Sequence, residues 1–424
     1  KPAEAKYVIR TVLGQLRTGV AEGVVRDAIV AAFLPKEEGA AEAVEWAWYL
    51  RPDYGEVAAI AKREGLAGLR KAKLEFGKPY QVLLSEKSPS LEEALAAFER
   101  PVLEWKYDGM RCIMQKQGSR VWLFTRRLEN ITAQFPDIVE LVQRSLKDSI
   151  VEGEVLALRN GKPLPFQELS QRIKRKHGIA AMAAAIPVQV NVFDATLLAG
   201  EQLFERTLAE RRALLERALK PIPGKFQLSE QLATTDLKKA KAFYAAALAA
   251  NQEGVMVKNL DSLYLPGRRA GFWLKVKPVM ESLDLAIIGG TWGTGKRTGW
   301  LGSFLLGCRT PEGFAACGMI GTGVKEKAPA KPRPDGRDEE SVTFAELTKL
   351  LKPHITEGRG SSVTIKPKVI IEVAYEEIQK SPTYESGFAL RFPRVLRVRS
   401  DRGPHDADDL ERIKRLFTSQ KGKR

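Results

Sequence analysis

Cysteine and histidine are scarce. The chain of 424 residues holds three of each, Cys112, Cys308 and Cys317 with His177, His354 and His405. No CxxC or HxxxH pair occurs among them. That excludes the common structural zinc frames and a disulfide framework, and it fits a reducing compartment. No apolar run approaches the roughly 20 residues that a membrane-spanning helix needs, and no segment has the layout of a secretory signal. Acidic residues are the minority charge: 52 against 68 Lys and Arg leave a net +16. Either that excess serves solubility alone, or it meets a polyanion, because Lys and Arg displace counterions from a phosphate backbone. No internal repeat is visible. The first residue is Lys1 rather than Met, which reads as a fragment or a processed product.

What is present is enough for several cores. At roughly 100–200 residues per domain, this length implies two to four, and 44% of the residues are hydrophobic. Apolar residues recur at three- and four-residue spacing in Tyr7–Leu16, and further helices are expected over Val24–Phe33, Ala41–Tyr49 and Glu56–Glu64. Phe76–Ser90, with Gly77, Pro79 and Pro89, reads as a linker. Ser90 and Glu93 form a capping-box signal for a helix over Leu91–Phe98.

After Pro101 short strands alternate with helices. Strands are expected at Val102–Tyr107, Arg111–Lys116, Val121–Thr125, Ile150–Leu158, Val188–Asp194, Gly254–Lys258 and Trp273–Lys277. Helices are expected at Phe135–Asp148, Phe204–Leu219 and Asp236–Ala249. From about Glu281 strands and glycine-punctuated turns dominate, and Ser362–Lys366 and Val369–Tyr375 read as strands. This part reads as a small β domain, barrel-like. Lys325–Asp338 reads as a charged loop, Asp408–Phe417 as a helix and Ser419–Arg424 as a disordered tail.

Several short stretches carry chemistry, each with a plainer alternative. Lys106 ends an apolar strand before the Asp108-Gly109 turn. It is either a solvated strand end or a nucleophilic amine. Glu152 and Glu154 share one strand face by the period of two, which suits ligand binding or an exposed edge. Phe193 shares a face with Gln189 and Asn191, opposite Val188, Val190 and Val192. It is either a stacking platform for a base or packing beneath a helix. Lys275 and Lys277 lie on one face, with Arg269 upstream, and repel one another unless an anion lies between them. Glu253 adds a carboxylate of the kind that holds Mg²⁺ together with phosphates. Arg172–His177 is either a DNA-facing loop or a solvated one. Together, a lysine, acids, an aromatic and paired cations in one α/β region are the parts that grip a nucleoside triphosphate and attack its α-phosphorus.

The ordered set resembles the covalent nucleotidyltransferases, and specifically the ATP-dependent DNA ligases of archaeal and eukaryotic replicative type. Lys106-Tyr107-Asp108-Gly109-Met110-Arg111 matches the family's KxDGxR motif, and Thr125–Thr132 matches the next. Glu152-Gly153-Glu154, Val192-Phe193-Asp194, Glu253–Lys258, Trp273–Pro278, Asp284–Gly307 and Leu390–Arg394 follow in the family's order. Residues 1–75 resemble the end of the family's helical domain, notably Lys6-Tyr7 and Arg17–Gly23. Two positions depart from the pattern. Glu152 stands where Asp is frequent, and Arg402 where the family usually has Lys.

The resemblance implies a multidomain fold. Residues 1–78 would be the C-terminal part of an all-α DNA-binding domain, 79–280 an α/β nucleotidyltransferase (adenylation) domain, and 281–424 a β-barrel OB-fold domain with a terminal helix and tail. Lys106 would take AMP from ATP, pass it to a 5′-phosphate at a nick and leave the 3′-hydroxyl to close the bond. Glu104 would lie beside the adenine, Phe193 would stack on it and Glu154 would bind the ribose. Arg111, Arg126, Arg269, Lys275 and Lys277 would contact phosphates. Glu253, with Glu154, would hold Mg²⁺ or its substitute Mn²⁺, and Arg399 and Arg402 would orient pyrophosphate. The implied partners are nicked duplex DNA and a sliding clamp, docked through a segment outside this chain. The implied state is a monomer without membrane contact, in the cytoplasm or, in a eukaryote, the nucleus. RNA ligases and capping guanylyltransferases share the lysine chemistry, but the ligase-like helical segment argues against both. A non-catalytic DNA binder would leave Lys106 idle. Three scattered cysteines cannot build the four-cysteine zinc site usual in NAD-dependent ligases.

Overall fold

The computed structural model describes the whole chain except residues 1, 13–20, 165, 174, 176, 279, 328–341 and 421–424. Within the described residues the chain forms two compact units, Lys1–Lys277 and Pro278–Arg424. The first opens with α1 (Pro2–Val12), α2 (Glu22–Phe33), α3 (Ala40–Leu50) and α4 (Tyr54–Arg70). The end of the expected first helix, at 13–16, and residues 17–20 of the helical-domain resemblance lie outside the described residues. Asp53 starts α4 by accepting hydrogen bonds from Gly55 N and Glu56 N.

The strands of the first unit are β1 (Leu84–Lys87), β2 (Pro101–Lys106), β3 (Met110–Gln117), β4 (Arg120–Thr125), β5 (Ser149–Arg159) and β6 (Lys162–Pro163). They continue with β7 (Val188–Leu198), β8 (Glu201–Gln202), β9 (Phe226–Leu228), β10 (Gln231–Ala233), β11 (Gly254–Asn259) and β12 (Arg269–Val276). One sheet runs β1-β12-β11-β2-β10, and the other runs β4-β3-β5-β7-β8 with β6 on β5 and β9 on β7. Helices over Pro136–Ser145, Phe166–Ile173, Ile179–Ala185 and Leu208–Ala218 accompany the second sheet, and Leu91–Ala96 and Leu237–Ala249 the first. Val151, Val155, Val190 and Val192 pack on one side of the second sheet. On the other side Ile113, Ile150 and Leu197 share a core with Trp273 of the first sheet and with Val44, Ala47 and Leu50 of α3. Each fully buried Val, Leu or Ile among these contributes roughly 1.5–3 kcal/mol.

Two readings change. The expected linker Phe76–Ser90 contains β1, which pairs parallel with β12, and Tyr80, Val82 and Leu83 are buried. Its prolines lie outside the strand, so the intervening apolar run is free to join a sheet edge. The Arg172–His177 loop is corrected at its first two residues. Arg172 belongs to the helix Phe166–Ile173 and is 1% exposed. Its guanidinium donates to both carboxylate oxygens of Asp137 at 2.6 and 2.9 Å and to Ile186 O, and lies over the Phe135 ring. It fastens helices and carries no face to DNA, while Lys174 and Lys176 lie outside the described residues.

The second unit is mainly sheet. Its strands are β13 (Leu283–Trp292), β14 (Leu301–Thr310), β15 (Gly313–Ile320), β16 (Ile355–Arg359), β17 (Ser362–Ile365), β18 (Ile370–Ala374), β19 (Glu377–Lys380), β20 (Phe388–Arg391) and β21 (Arg394–Val398). The order is β15-β14-β13-β17-β16, and β18 bridges β13 and β21. On one edge β13 pairs first with β18, through Leu283–Ala286, and then with β17, through Gly289–Thr291. A helix over Phe344–Leu351, started by a capping box between Thr343 and Glu346, was not expected from sequence. The C-terminal helix spans Leu410–Ser419. Most of the expected charged loop, 328–338, and the tail 421–424 lie outside the described residues.

Candidate active site

Strand pairing sets the site. β2 lies between β10 and β11, with Lys106 opposite Gly254 and Glu104 opposite both Met256 and Gln231. Glu253 N donates to Lys106 O at 2.9 Å, which fixes the Glu253 carboxylate beside the lysine. Lys106 Nζ and Lys277 Nζ lie 2.6 and 2.8 Å from Glu253 Oε2. Burial raises the Glu253 carboxyl, but the two ammonium groups overcome that and hold it down to about 2. Gly254 permits the crowding: its φ is +144°, and a Cβ there would sit 2.2 Å from Val276 O. Gly109 is constrained by close approach, since a Cβ would meet Val155 O at 2.3 Å.

Glu154 lies on β5 opposite Arg111 on one side and Asn191 on the other. Its carboxyl is pushed up to about 7, first by desolvation and further by Glu253 and Asp108, against the pull of Lys106 and Arg111. Glu154, Glu253 and Lys106 therefore share one electrostatic neighbourhood. Arg126 is exposed at the end of β4. Desolvation, then repulsion from Arg111 and Arg269, lowers its guanidinium. Three of the expected phosphate contacts thus converge without neutralising one another. Lys275 lies in β12 opposite Met256, and Lys277 follows the strand.

Glu104 is 2% exposed. Lys258 Nζ donates to its Oε2 at 2.5 Å and Gln231 Nε2 to its Oε1 at 3.1 Å. The same ammonium lies 4.1 Å from the centroid of Trp273 and 4.9 Å from that of Phe193. Burial lowers the Lys258 amine and Glu104 opposes it. Phe193 is half-buried and meets Trp273 edge-on at 6.1 Å. The structure therefore gathers Glu104, Phe193 and Lys258 in one group and Lys106, Glu253 and Lys277 in another, with Glu154 feeling the charges of Lys106 and Glu253, while Phe193 also packs against the core beside Trp273. If the Phe193 ring stacks on a base, Phe193→Ala weakens ATP binding by roughly 1–3 kcal/mol. Calorimetric titration measures this, and unchanged affinity with lowered stability would make Phe193 a core residue only.

Arg111 differs from the expectation of an open phosphate contact. Its guanidinium donates to Glu152 Oε2 through Nε at 2.9 Å and again through Nη2, and to Leu83 O at 2.7 Å. Glu152 is fully buried and also accepts from the hydroxyls of Tyr80 and Tyr264. These two residues hold one another in the interior. Removing one partner of a buried pair typically costs about 3–5 kcal/mol, so Glu152→Ala is expected to lower stability by that amount in chemical denaturation. A loss below about 1 kcal/mol would mean that the pair behaves as a surface one.

Lys258, Gln231, Tyr80 and Tyr264 were missed in the sequence. For Lys258 a signal existed, a cation in an apolar strand that demands a buried partner. Arg399 and Arg402 lie in the second unit. Arg399 Nη1 is 3.0 Å and Arg402 Nη1 2.7 Å from Asp284 Oδ2, and Arg399 Nη2 is 2.7 Å from Asp401.

Two sheets sharing a core, with a strand-end lysine paired to a carboxylate, are an arrangement suited to a nucleotidyltransferase. Residues 82–277 match the family model for the ATP dependent DNA ligase domain, and residues 297–402 match that for the ATP dependent DNA ligase C terminal region. The DNA ligase of Nanoarchaeum equitans is 47% identical over 100% of this chain and 74% of that protein. That of Thermococcus onnurineus is 45% identical over 99% of this chain and 72% of its own length. A solved structure described as Pmar-Lig_Pre, 18% identical, covers 91% of this chain and 82% of its own with a TM-score of 0.54, a likeness of fold alone. The chain belongs to the ATP-dependent DNA ligases, in their archaeal type. It uses ATP to seal nicks in DNA.

Proposed function

We propose that Lys106 is the residue that carries AMP during nick sealing. The observation that supports this is its place at the end of β2, with Nζ 2.6 Å from a carboxylate that a second lysine also holds. Lys106, an ammonium beside Glu253 at rest, first loses a proton to solvent; the free amine Nζ then attacks the α-phosphorus, the N–P bond forms as the bond to the pyrophosphate oxygen breaks, and a second proton leaves to solvent. AMP then moves to the 5′-phosphate of the nick, and the 3′-hydroxyl displaces it. Alignment and neutralisation of phosphate charge supply most of the acceleration. Glu104, held by Lys258, faces the adenine that Phe193 stacks on, and Glu154 holds the ribose. Arg126, Arg269, Lys275 and Lys277 meet phosphates, while Arg111 is held by Glu152. Incubation with α-labelled ATP followed by peptide mapping tests the assignment. AMP is expected on the peptide containing Lys106, and labelling by GTP instead would favour a capping-type enzyme.

Among the described residues no group of three or more His, Cys, Asp or Glu gathers as a metal site. The carboxylates of Glu154 and Glu253 feel one another's charge. They fit Mg²⁺, or Mn²⁺ in its place, which is commonly held by one or two carboxylates together with substrate phosphates. A bound ion would neutralise phosphate charge. Glu154 also implies a pH dependence. Its carboxyl is raised to about 7, so it is protonated below that pH and anionic above it. If the anion holds the ribose, single-turnover adduct formation rises with pH through about 7, and Glu154→Gln is slow and loses this rise. A native profile that is flat through neutrality would remove Glu154 from that role.

The rest of the reading follows the family. Residues 1–78 act as part of a DNA-binding domain, 79–280 as the adenylation domain and 281–424 as an OB-fold domain. No helix of the described residues is long and apolar enough to cross a membrane. A monomer acting in replication and repair in the cytoplasm, docked on a sliding clamp, completes the proposal.

A further inference from the structure

A second pocket, of about 360 Å³, adjoins the Lys106 neighbourhood and is used by none of the roles above. Its lining includes Trp105, Tyr107, Gln189, Asn191, Gln227 and Gln252. Trp105 and Tyr107 flank Lys106 in the chain, Gln252 precedes Glu253, and Asn191 pairs with Glu154 across the sheet.

Three polar atoms of these residues are buried and have no hydrogen-bond partner among the described residues: Trp105 Nε1, Asn191 Nδ2 and Gln252 Oε1. Asn191 is fully buried and Gln252 nearly so. Their orientations are fixed by other bonds. Gln189 Nε2 and Gln227 Nε2 donate to Asn191 Oδ1 at 3.0 and 3.3 Å, which leaves the Asn191 amino group as the open end. Gln252 Nε2 donates to Ala250 O at 3.0 Å, which leaves its carbonyl open. Buried polar groups are rarely left unmatched, because water is given up with nothing in return. The lining thus offers two donors and one acceptor beside two aromatic rings, Trp105 and Tyr107.

The buried part of this lining is uncharged, and the charged residues Lys162 and Glu230 are exposed. Phosphate would want cations there, and a metal would want carboxylates. Two acceptors and a donor on a planar frame are what a nucleobase edge presents, and the volume lies in the range of small-ligand sites. We propose that this pocket is a second nucleoside site that binds an uncharged base through Trp105, Asn191 and Gln252, separate from the ATP site. The proposal rests on the reading of Lys106 only in that a loaded lysine marks the first site as occupied.

The test uses the full chain, adenylated with ATP and freed of excess nucleotide, titrated with unphosphorylated adenosine and cytidine. The probe is the Trp105 indole N–H signal in ¹H–¹⁵N spectra, assigned by its loss in Trp105→Phe. A saturable shift is expected for a nucleoside, with affinity at least about tenfold weaker in Asn191→Ala and Gln252→Ala. AMP transfer to Lys106 is expected to stay intact in both variants. No shift at any concentration, or an affinity in both variants equal to that of the native protein, overturns the site. So does a high-resolution structure grown with nucleoside that shows only waters on the three atoms. If Lys106 takes no AMP, the active-site assignment fails by itself, and the same titration on the unloaded chain still judges the pocket. Because the native protein carries the signal, the result stands even if a variant fails to fold.

Discussion

Lys106→Ala is expected to abolish both the AMP adduct and nick sealing, a loss on the order of 10⁴–10⁶ in rate, as when an enzyme's nucleophile is removed. The strand pairing that places Glu253 does not depend on the lysine side chain. Lys277 remains 2.8 Å from that carboxylate, so the variant is expected to fold. Lys106→Arg is the sharper comparison. A guanidinium keeps the ion pair with Glu253 but stays protonated and cannot attack phosphorus. It is expected to be as inactive as alanine, which separates nucleophilicity from charge. The readout is mass spectrometry of the Lys106 peptide after exposure to ATP, with gel-based sealing of a nicked duplex alongside. Full labelling of Lys106→Ala would move the nucleophile elsewhere.

The local chemistry was legible because strand period and motif order are local properties. Lys106 at a strand end, Glu152 and Glu154 on one face, and Phe193 opposite the valines all follow from a repeat of two. What sequence could not reveal is which of two equivalent residues is spent on structure. Glu152 and Glu154 alternate on the same face, yet Glu152 is consumed by Arg111, Tyr80 and Tyr264, from three distant segments. Asp194 illustrates a second limit. Strict alternation would place it with Val192, but the register slips between Glu152 and Gly153, and Asp194 turns to pair with buried Arg211. Lys258 and Arg172 are a third case, since a basic residue reads as solvent-facing until its partner, Glu104 or Asp137, arrives from far along the chain. β1 was hidden because the glycine and prolines around it outweigh a four-residue strand in any window.

Replacing Arg399 and Arg402 together with alanine is expected to slow formation of the Lys106 adduct by on the order of 10²–10³, the loss seen when a donor to developing charge is removed. The nucleotide residues lie in Lys1–Lys277 and these arginines in Pro278–Arg424. The expected loss follows from the proposed role of these arginines in orienting pyrophosphate, a group present only in the step that loads Lys106. Later steps have no pyrophosphate and should not need these arginines. The two arginines are not equivalent. Arg399, 12% exposed, is held between Asp284 and Asp401, whereas Arg402 shares Asp284 and is 39% exposed. Arg402 therefore reaches an incoming phosphate more readily, and Arg399 orders Asp284 behind it. Arg402→Ala alone should reproduce most of the kinetic loss with little change in unfolding midpoint, while Arg399→Ala should lower the midpoint as well. The deciding comparison is single-turnover adduct formation against joining of a nick already bearing 5′-AMP. The second reaction is expected to be far less affected. Equal losses in both would assign these arginines to DNA binding or folding, and the pyrophosphate role would have to be abandoned.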